Sequence, residues 1–158
     1  MGWLKDLLTN LESLFKGWLR MRIWKIDDHL YQLGTVETVD PIVDERIKVI
    51  TDLEGGFDTH HLIGKIDAYI YWPIGNGPIK FVNKGYLHAF ATLIHKLRVS
   101  GVRCLTHCGA GRNRASLFNG VVLWNAGYKG QAIVDKIRKE RPDALSNQEF
   151  ERYLLELT

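Results

Sequence analysis

The chain has 158 residues, 46% of them hydrophobic and 25% charged, with a formal net charge of +3 at pH 7. That length supports one domain with a substantial core, the balance is that of a globular soluble chain, and the small net charge argues against a bulk electrostatic nucleic-acid binder. No apolar run approaches the roughly 20 residues of a membrane span, and the charges at Lys5, Asp6, Glu12 and Lys16 exclude a secretory signal.

Residues 3–19 carry Trp3, Leu4, Leu7, Leu8, Leu11, Leu14, Phe15, Trp18 and Leu19 at helical spacing. This predicts an N-terminal amphipathic helix within 1–22, packed on a domain that spans 23–158. A membrane-surface or dimer contact is the second reading, because its aromatics are flanked by Lys16, Arg20 and Arg22. Ile23–Ile26 and Leu30–Leu33 read as short strands around an Asp27-Asp28 turn. Asp40-Pro41 reads as a helix start, with Asp as the cap. Strands are expected at 48–51 and 68–72, with a Gly- and Asp-rich loop between them. Residues 75–78 are a turn. A long helix is expected over 81–99, a buried strand over 102–106, and helices over 112–126, 129–140 and 147–157. Ser146-Asn147-Gln148-Glu149 reads as a capping box for the last.

Strands alternating with helices imply an α/β fold, with a central, mainly parallel sheet of about four to five strands flanked by helices. In such sheets, sites lie beyond the carboxyl ends of the strands. Cys104 and Cys108 would sit roughly 13 Å apart along one strand, too far for a disulfide. Reduced thiols point to a cytoplasmic setting.

The chemistry concentrates in His107-Cys108-Gly109-Ala110-Gly111-Arg112-Asn113-Arg114-Ala115-Ser116. A loop wrapped around a tetrahedral dianion points its N–H groups inward as a nest, and the following helix N-terminus adds its positive end. Gly109 and Gly111 permit the dihedrals and close approach this needs. Arg114 can grip two phosphate oxygens with its planar fork. The same field stabilises a thiolate at Cys108, and His107 would orient and support it. Gly109, Ala110, Gly111, Arg112, Asn113 and Arg114 are therefore the expected phosphate-binding residues. A thiolate beneath a bound phosphate is placed for in-line attack.

On these residues the chain resembles the cysteine-dependent protein tyrosine and dual-specificity phosphatases, over about residues 23–157. Leu30 to Gly34 and Val49 to Leu53 are similar to that family's strands. Trp72-Pro73-Ile74-Gly75-Asn76-Gly77-Pro78 resembles its mobile acid loop, and Arg141 to Phe150 its closing helix. The resemblance implies a dual-specificity phosphatase-like fold, with Cys108 as nucleophile and Arg114 as phosphate clamp. It implies hydrolysis of phosphotyrosine, phosphoserine or phosphothreonine through a phosphocysteine intermediate. The implied partner is a phosphorylated protein, with no metal, no organic cofactor and no obligate nucleic acid.

Two positions depart from the pattern. The Ser or Thr that follows the arginine in the family is Ala115 here. Ser116 is rotated by about 100° around the helix and is not placed to substitute. The phosphatases of regenerating liver, which are slow, share that alanine, and their acid loop resembles residues 72–77. The family's general-acid Asp corresponds to Asn76, whose amide cannot donate the proton, and general acid catalysis is worth about 10²–10⁴ in rate.

Four readings follow. Asp52, Glu54 or Asp58 stands in as the acid; Asn76 is a substrate-trapping change; the protein is a slow or inactive, phospho-ligand-binding relative; or the substrate is a phosphoanhydride with a good leaving group. RNA 5′-triphosphatases of the same fold also carry Asn before the loop arginine, as in Asn113-Arg114, which makes phosphorylated RNA the alternative partner. His60-His61, His88 and His95 lack metal-ligand spacing and read as exposed residues. Gln148 reads as a local capping residue that could otherwise position water.

Overall fold

The computed structural model describes residues 22–56 and 59–158. The expected N-terminal helix and Asp58 lie outside the described residues. The elements run β1 (Trp24–Lys25), β2 (Leu30–Leu33), α1 (Asp40–Asp44), β3 (Val49–Asp52), β4 (Ala68–Tyr71), α2 (Lys84–Val99), β5 (Cys104–His107), α3 (Arg114–Asn125), α4 (Gln131–Glu140) and α5 (Gln148–Leu155). Short 3₁₀ turns occupy Thr59–Leu62 and Ile79–Phe81.

The five strands lie in the order β1-β2-β5-β3-β4. Only β1 pairs antiparallel; β2–β5, β5–β3 and β3–β4 are parallel. The three central strands, LYQL, VITD and CLTH, are buried along their whole length. Their alternate residues feed two cores. Leu30, Val49 and Cys104 pack toward α2, α3, α4 and α5. Tyr31, Ile50 and Leu105 pack with Ile42 of α1, Ile47 and Leu62 on the other face. Helix α3 is buried from Ala115 to Leu123, and so needs no polar stripe.

Several boundaries moved for physical reasons. β5 ends at His107, which is a sheet residue and not part of the loop. Asn83 caps α2 by accepting from the Tyr86 amide at 3.1 Å, so that helix begins at Lys84 rather than at 81. Asp40 lies inside the first turn of α1, and no side chain caps that helix. The expected capping box does not form. Asn147, not Ser146, caps α5, accepting from the amides of Glu149 and Phe150. Ser146 and Glu149 are engaged elsewhere, on Asn113 Oδ1 and the Ile79 amide respectively. Among the described residues, no helix is long and apolar enough to cross a membrane.

Candidate active site

Leu33 and Asp52 both pair in register with His107. The chain therefore leaves β2, β3 and β5 at one edge, and three loops meet there. Gly34-Thr35, Leu53-Glu54 and Cys108 to Asn113 lie together at the carboxyl ends of the strands, joined by Thr35–Gly109 and by Arg114 to Leu53 and Glu54, where sites in such sheets are found.

The 108–113 loop is shaped by what holds its carbonyls. Gly109 O accepts from the amide and hydroxyl of Thr35 at 2.9 and 3.0 Å. Ala110 O accepts from Arg141 Nη1 at 2.6 Å, and Gly111 O from Gln32 Nε2 at 2.8 Å and from Arg141 Nη1. Arg112 O accepts from the Leu145 amide at 3.0 Å. Four consecutive carbonyls are thus turned outward. In a planar trans peptide the N–H lies opposite its carbonyl, so the amides of Ala110, Arg112 and Asn113 turn toward the concave side. The Gly111 amide closes the turn on Cys108 O at 3.2 Å. The N-terminus of α3 adds its partial positive charge at the same place.

Arg114, the first residue of α3, is fixed by three partners. Its Nη1 donates to Leu53 O at 3.3 Å and Ile74 O at 3.2 Å, and its Nη2 to Glu54 Oε1 at 3.2 Å. One face of the fork is thus set by backbone, and the other is occupied by a carboxylate that an anion could displace. The Asn113 side chain accepts from Ser146 Oγ and the Asn147 amide, so only its own amide is turned to the concavity. Arg112 projects outward, 4.0 Å from Asp143.

Cys108 sits at the floor as a free, buried thiol. Behind it lies an arrangement absent from the sequence expectations. Asp52 is 1% exposed. It accepts from the Tyr69 hydroxyl at 2.5 Å and from the amides of Glu54 and Gly55 at 2.9 and 2.8 Å. Burial alone would raise its carboxyl, but these bonds outweigh burial and hold it below the usual carboxylate range. Its Oδ1 lies 3.2 Å from His107 Nε2, although the ring is not aligned for a hydrogen bond. Asp52 is a buried neighbour of His107, so it is not a stand-in proton donor. Cys104, by contrast, is pushed up to about 12 by burial and is an inert core thiol.

Burial pushes His107 below the ordinary histidine range; Asp52 and Glu54 offset this only in part, and Arg114 adds to it. His88 and His95 are lowered by burial too. The unfolded chain takes up these protons near about pH 6.5, the folded chain only at lower pH. Between those values the unfolded state binds more protons, so stability falls as pH drops from about 6.5 through the lowered native values, then levels off. Melting temperature should decline over that window in the wild type, and His107→Gln should flatten part of the decline. An unchanged slope in the variant would show that His107 takes no part.

Asn76 is exposed, and its Oδ1 accepts from Asn147 Nδ2 at 3.4 Å, while Gly77 O accepts from the same group at 3.0 Å. Together with the Ile79–Glu149 bond, this staples the 72–79 loop to the start of α5. Ser116 Oγ accepts from Gln32 Nε2 at 2.7 Å, inside a buried network that continues through Gln32 Oε1, Asn119 and Thr106. Its hydroxyl therefore serves the scaffold of the loop, and Ala115 leaves no hydroxyl at the preceding position. Arg141 was not foreseen as a site residue. It lies over the Trp24 ring at 3.8 Å and holds two loop carbonyls. The Arg-Pro that ends α4 was its only sequence signal.

The other sequence candidates do not converge. His88, expected to be exposed, is half-buried and lies 2.6 Å from the Tyr153 hydroxyl; His95 is half-buried beside Arg98. Gln148 lines a separate cleft with Lys84 and Arg152. Among the described residues, no group of three or more His, Cys, Asp or Glu could hold a metal ion.

No protein-family model matches the chain, and no curated protein sequence does. Solved structures do. DUSP15 is 23% identical over 85% of each chain, with a TM-score of 0.72. Tk-PTP in its active form is 17% identical over 85% of this chain and 95% of its own, with a TM-score of 0.71. The human tyrosine phosphatase-like serine/threonine/tyrosine-interacting protein is 16% identical over 87% and 95%, with a TM-score of 0.70. The fold is thus that of the cysteine-dependent tyrosine and dual-specificity phosphatases.

Proposed function

We propose that this chain is a cysteine-dependent phosphatase acting on phosphorylated protein side chains. The observation that carries this reading is the run of four outward-tied carbonyls above Cys108. It leaves loop amides, a helix N-terminus and the Arg114 fork converging on one tetrahedral site. In that site a phosphoryl dianion takes hydrogen bonds from the Ala110, Arg112 and Asn113 amides and from Arg114, with the Cys108 sulfur beneath it. The thiolate attacks phosphorus as the P–O bond to the leaving oxygen breaks, giving phosphocysteine. Water then attacks phosphorus, the S–P bond breaks, and inorganic phosphate leaves. His107, neutral and wedged against Asp52, holds the start of the loop.

The second step is the slower one in this reading. Ala115 offers no hydroxyl to steady the departing thiolate, and Ser116 is engaged with Gln32. Phosphocysteine should therefore accumulate. Acid quenching shortly after mixing wild-type protein with an aryl phosphate should trap phosphate on Cys108, with a burst of phenol preceding steady turnover. Absence of both adduct and turnover, with retained sulfate binding, would move the protein to the second reading, a phospho-ligand-binding relative. Asn76 and Ala115 favour that alternative. The RNA 5′-triphosphatase reading gains nothing from Asn113, whose side chain is spent on Ser146 and Asn147.

A further inference from the structure

The dipeptide Asn-Gly occurs at 76–77 and again at 119–120, and the fold treats the two in opposite ways. Asparagine is a thermolabile residue, and a following glycine makes it more so, because no side chain keeps the glycine nitrogen from reaching Cγ. Asn119 is fully buried inside α3. Its side chain donates to Tyr31 O and Gln32 Oε1 and accepts from Thr106 Oγ1, and helical geometry aims the Gly120 amide along the axis at a carbonyl. Asn76 is instead exposed, in the bend before Pro78. The Gly77 amide donates to no group among the described residues. Asn147 Nδ2 donates to both Asn76 Oδ1 and Gly77 O, at 3.4 and 3.0 Å. Sharing one donor keeps the Asn76 side chain beside its own following peptide. The same donor steadies the negative charge that forms on Oδ1 when Cγ is attacked.

We propose that Asn76 is a self-modification site, which converts to aspartate through Gly77 and so supplies the proton donor that the encoded amide cannot. The donor role rests on the phosphatase reading above; the conversion does not. The Gly77 nitrogen loses its proton and attacks Asn76 Cγ. The bond from Cγ to the side-chain nitrogen then breaks, ammonia leaves, and a five-membered succinimide remains. Water opens the ring. Cleavage between Cγ and the Gly77 nitrogen gives aspartate, and cleavage at the main-chain carbonyl gives the isoaspartyl form. The sum is one amide and one water converted to one carboxylate and one ammonium ion. Position 76 is placed to use the carboxyl. Ile74 O accepts from Arg114 Nη1 at 3.2 Å, and Asn147, which holds Asn76, donates its backbone amide to Asn113 Oδ1 at 3.0 Å. Residue 76 therefore stands at the exposed rim beside the last loop residues. Cys108 is at the buried floor, so in-line attack points the leaving oxygen outward, toward that rim. As the P–O bond breaks, the new carboxyl gives its proton to the leaving oxygen, which departs as a neutral phenol or alcohol.

The test compares fresh wild-type protein with protein incubated warm at mildly alkaline pH. Peptides carrying residues 76 and 119 are read by mass spectrometry. Amide-to-acid conversion should accumulate at 76 and stay absent at 119. In Gly77→Ala, whose added Cβ meets nothing within 4 Å, conversion should be at least about tenfold slower, since the Cβ hinders the amide and narrows its backbone range. Activity is followed as kcat/KM, which reports the first step. For phenyl phosphate, whose leaving oxygen needs a proton, it should rise with the aspartyl fraction toward the value of Asn76→Asp, about 10²-fold above fresh protein. For 2,4-dinitrophenyl phosphate, which needs none, it should change by less than about threefold. An unconverted residue 76, or equal conversion at 119, overturns the self-modification. Conversion with no gain on phenyl phosphate, in aged protein and in Asn76→Asp alike, overturns the donor role. Turnover equal to that of Cys108→Ser in fresh and aged protein instead sinks the phosphatase reading, while the peptide at 76 still reports the modification, so the failures are distinguishable.

Discussion

Replacing Cys108 by serine is expected to abolish aryl phosphate hydrolysis while keeping sulfate binding at least as tight as in the wild type, because a neutral hydroxyl replaces a thiolate beneath the anion. The two effects separate because binding and attack rest on different atoms. In the proposed function the dianion would be held by the amides of Ala110, Arg112 and Asn113 and by Arg114. Those groups are set by the outward bonds of the loop carbonyls to Thr35, Arg141, Gln32 and Leu145, none of which involves the Cys108 sulfur. Serine fits the same buried space. Its hydroxyl, an ordinary alcohol, remains protonated at neutral pH and is a far weaker nucleophile than a thiolate. Removing a catalytic nucleophile costs up to about 10⁶ in kcat; on a slow enzyme, a loss of at least about 10³-fold is the measurable expectation. Steady-state hydrolysis and calorimetry on one preparation check it. Residual turnover within about tenfold of wild type would show that Cys108 is not the nucleophile.

Gly111→Ala should be the most damaging single change in the loop. Gly111 has φ of +55°, a region L-residues enter at a cost of about 1–3 kcal/mol. An added Cβ would also collide with the carbonyl carbon and oxygen of Leu33. That neighbour is the backbone of β2, whose Leu33 O accepts from the Cys108 amide at 3.3 Å, so it cannot step aside as a flexible side chain could. Strain and overpacking together should destabilise the fold by about 2–5 kcal/mol. Any folded fraction should have lost sulfate binding, because a displaced Gly111 releases the carbonyl held by Gln32 and Arg141. Chemical denaturation and sulfate calorimetry would measure the two losses. Wild-type stability and binding together would show that the loop tolerates a shape other than the one described. The contrast with Cys108→Ser is informative: one change removes chemistry from an intact cradle, the other removes the cradle.

The cradle was legible in the sequence because it is local. Eight consecutive residues, His107 to Arg114, carry the thiol, the glycines and the arginine, and the apolar run before them and the helix after them set the path of the loop. The alternating pattern of strands and helices likewise implied a mainly parallel sheet. What surrounds the loop was not legible, because each partner arrives from a distant element. Asp52 reaches His107 only because β3 and β5 are in register. Arg141 reaches Ala110 and Gly111 from the end of α4. Ser146 and Glu149, which read as a local capping box, were drawn instead to Asn113 and Ile79, since a tertiary partner outcompetes a marginal local bond.

The amino-acid order alone thus determined the composition of the 107–114 loop and the two positions, 76 and 115, that depart from the pattern it resembles. Backbone dihedrals and short-range spacing carry that information within one loop. Only the tertiary structure decided which carboxylate lies in the site. Asp52 and Glu54 are separated by one residue and look alike in sequence. Strand register buries the first under Tyr69, whereas the turn after β3 lays the second across Arg114. That difference arises from packing between β3, β4 and β5, which no local pattern encodes.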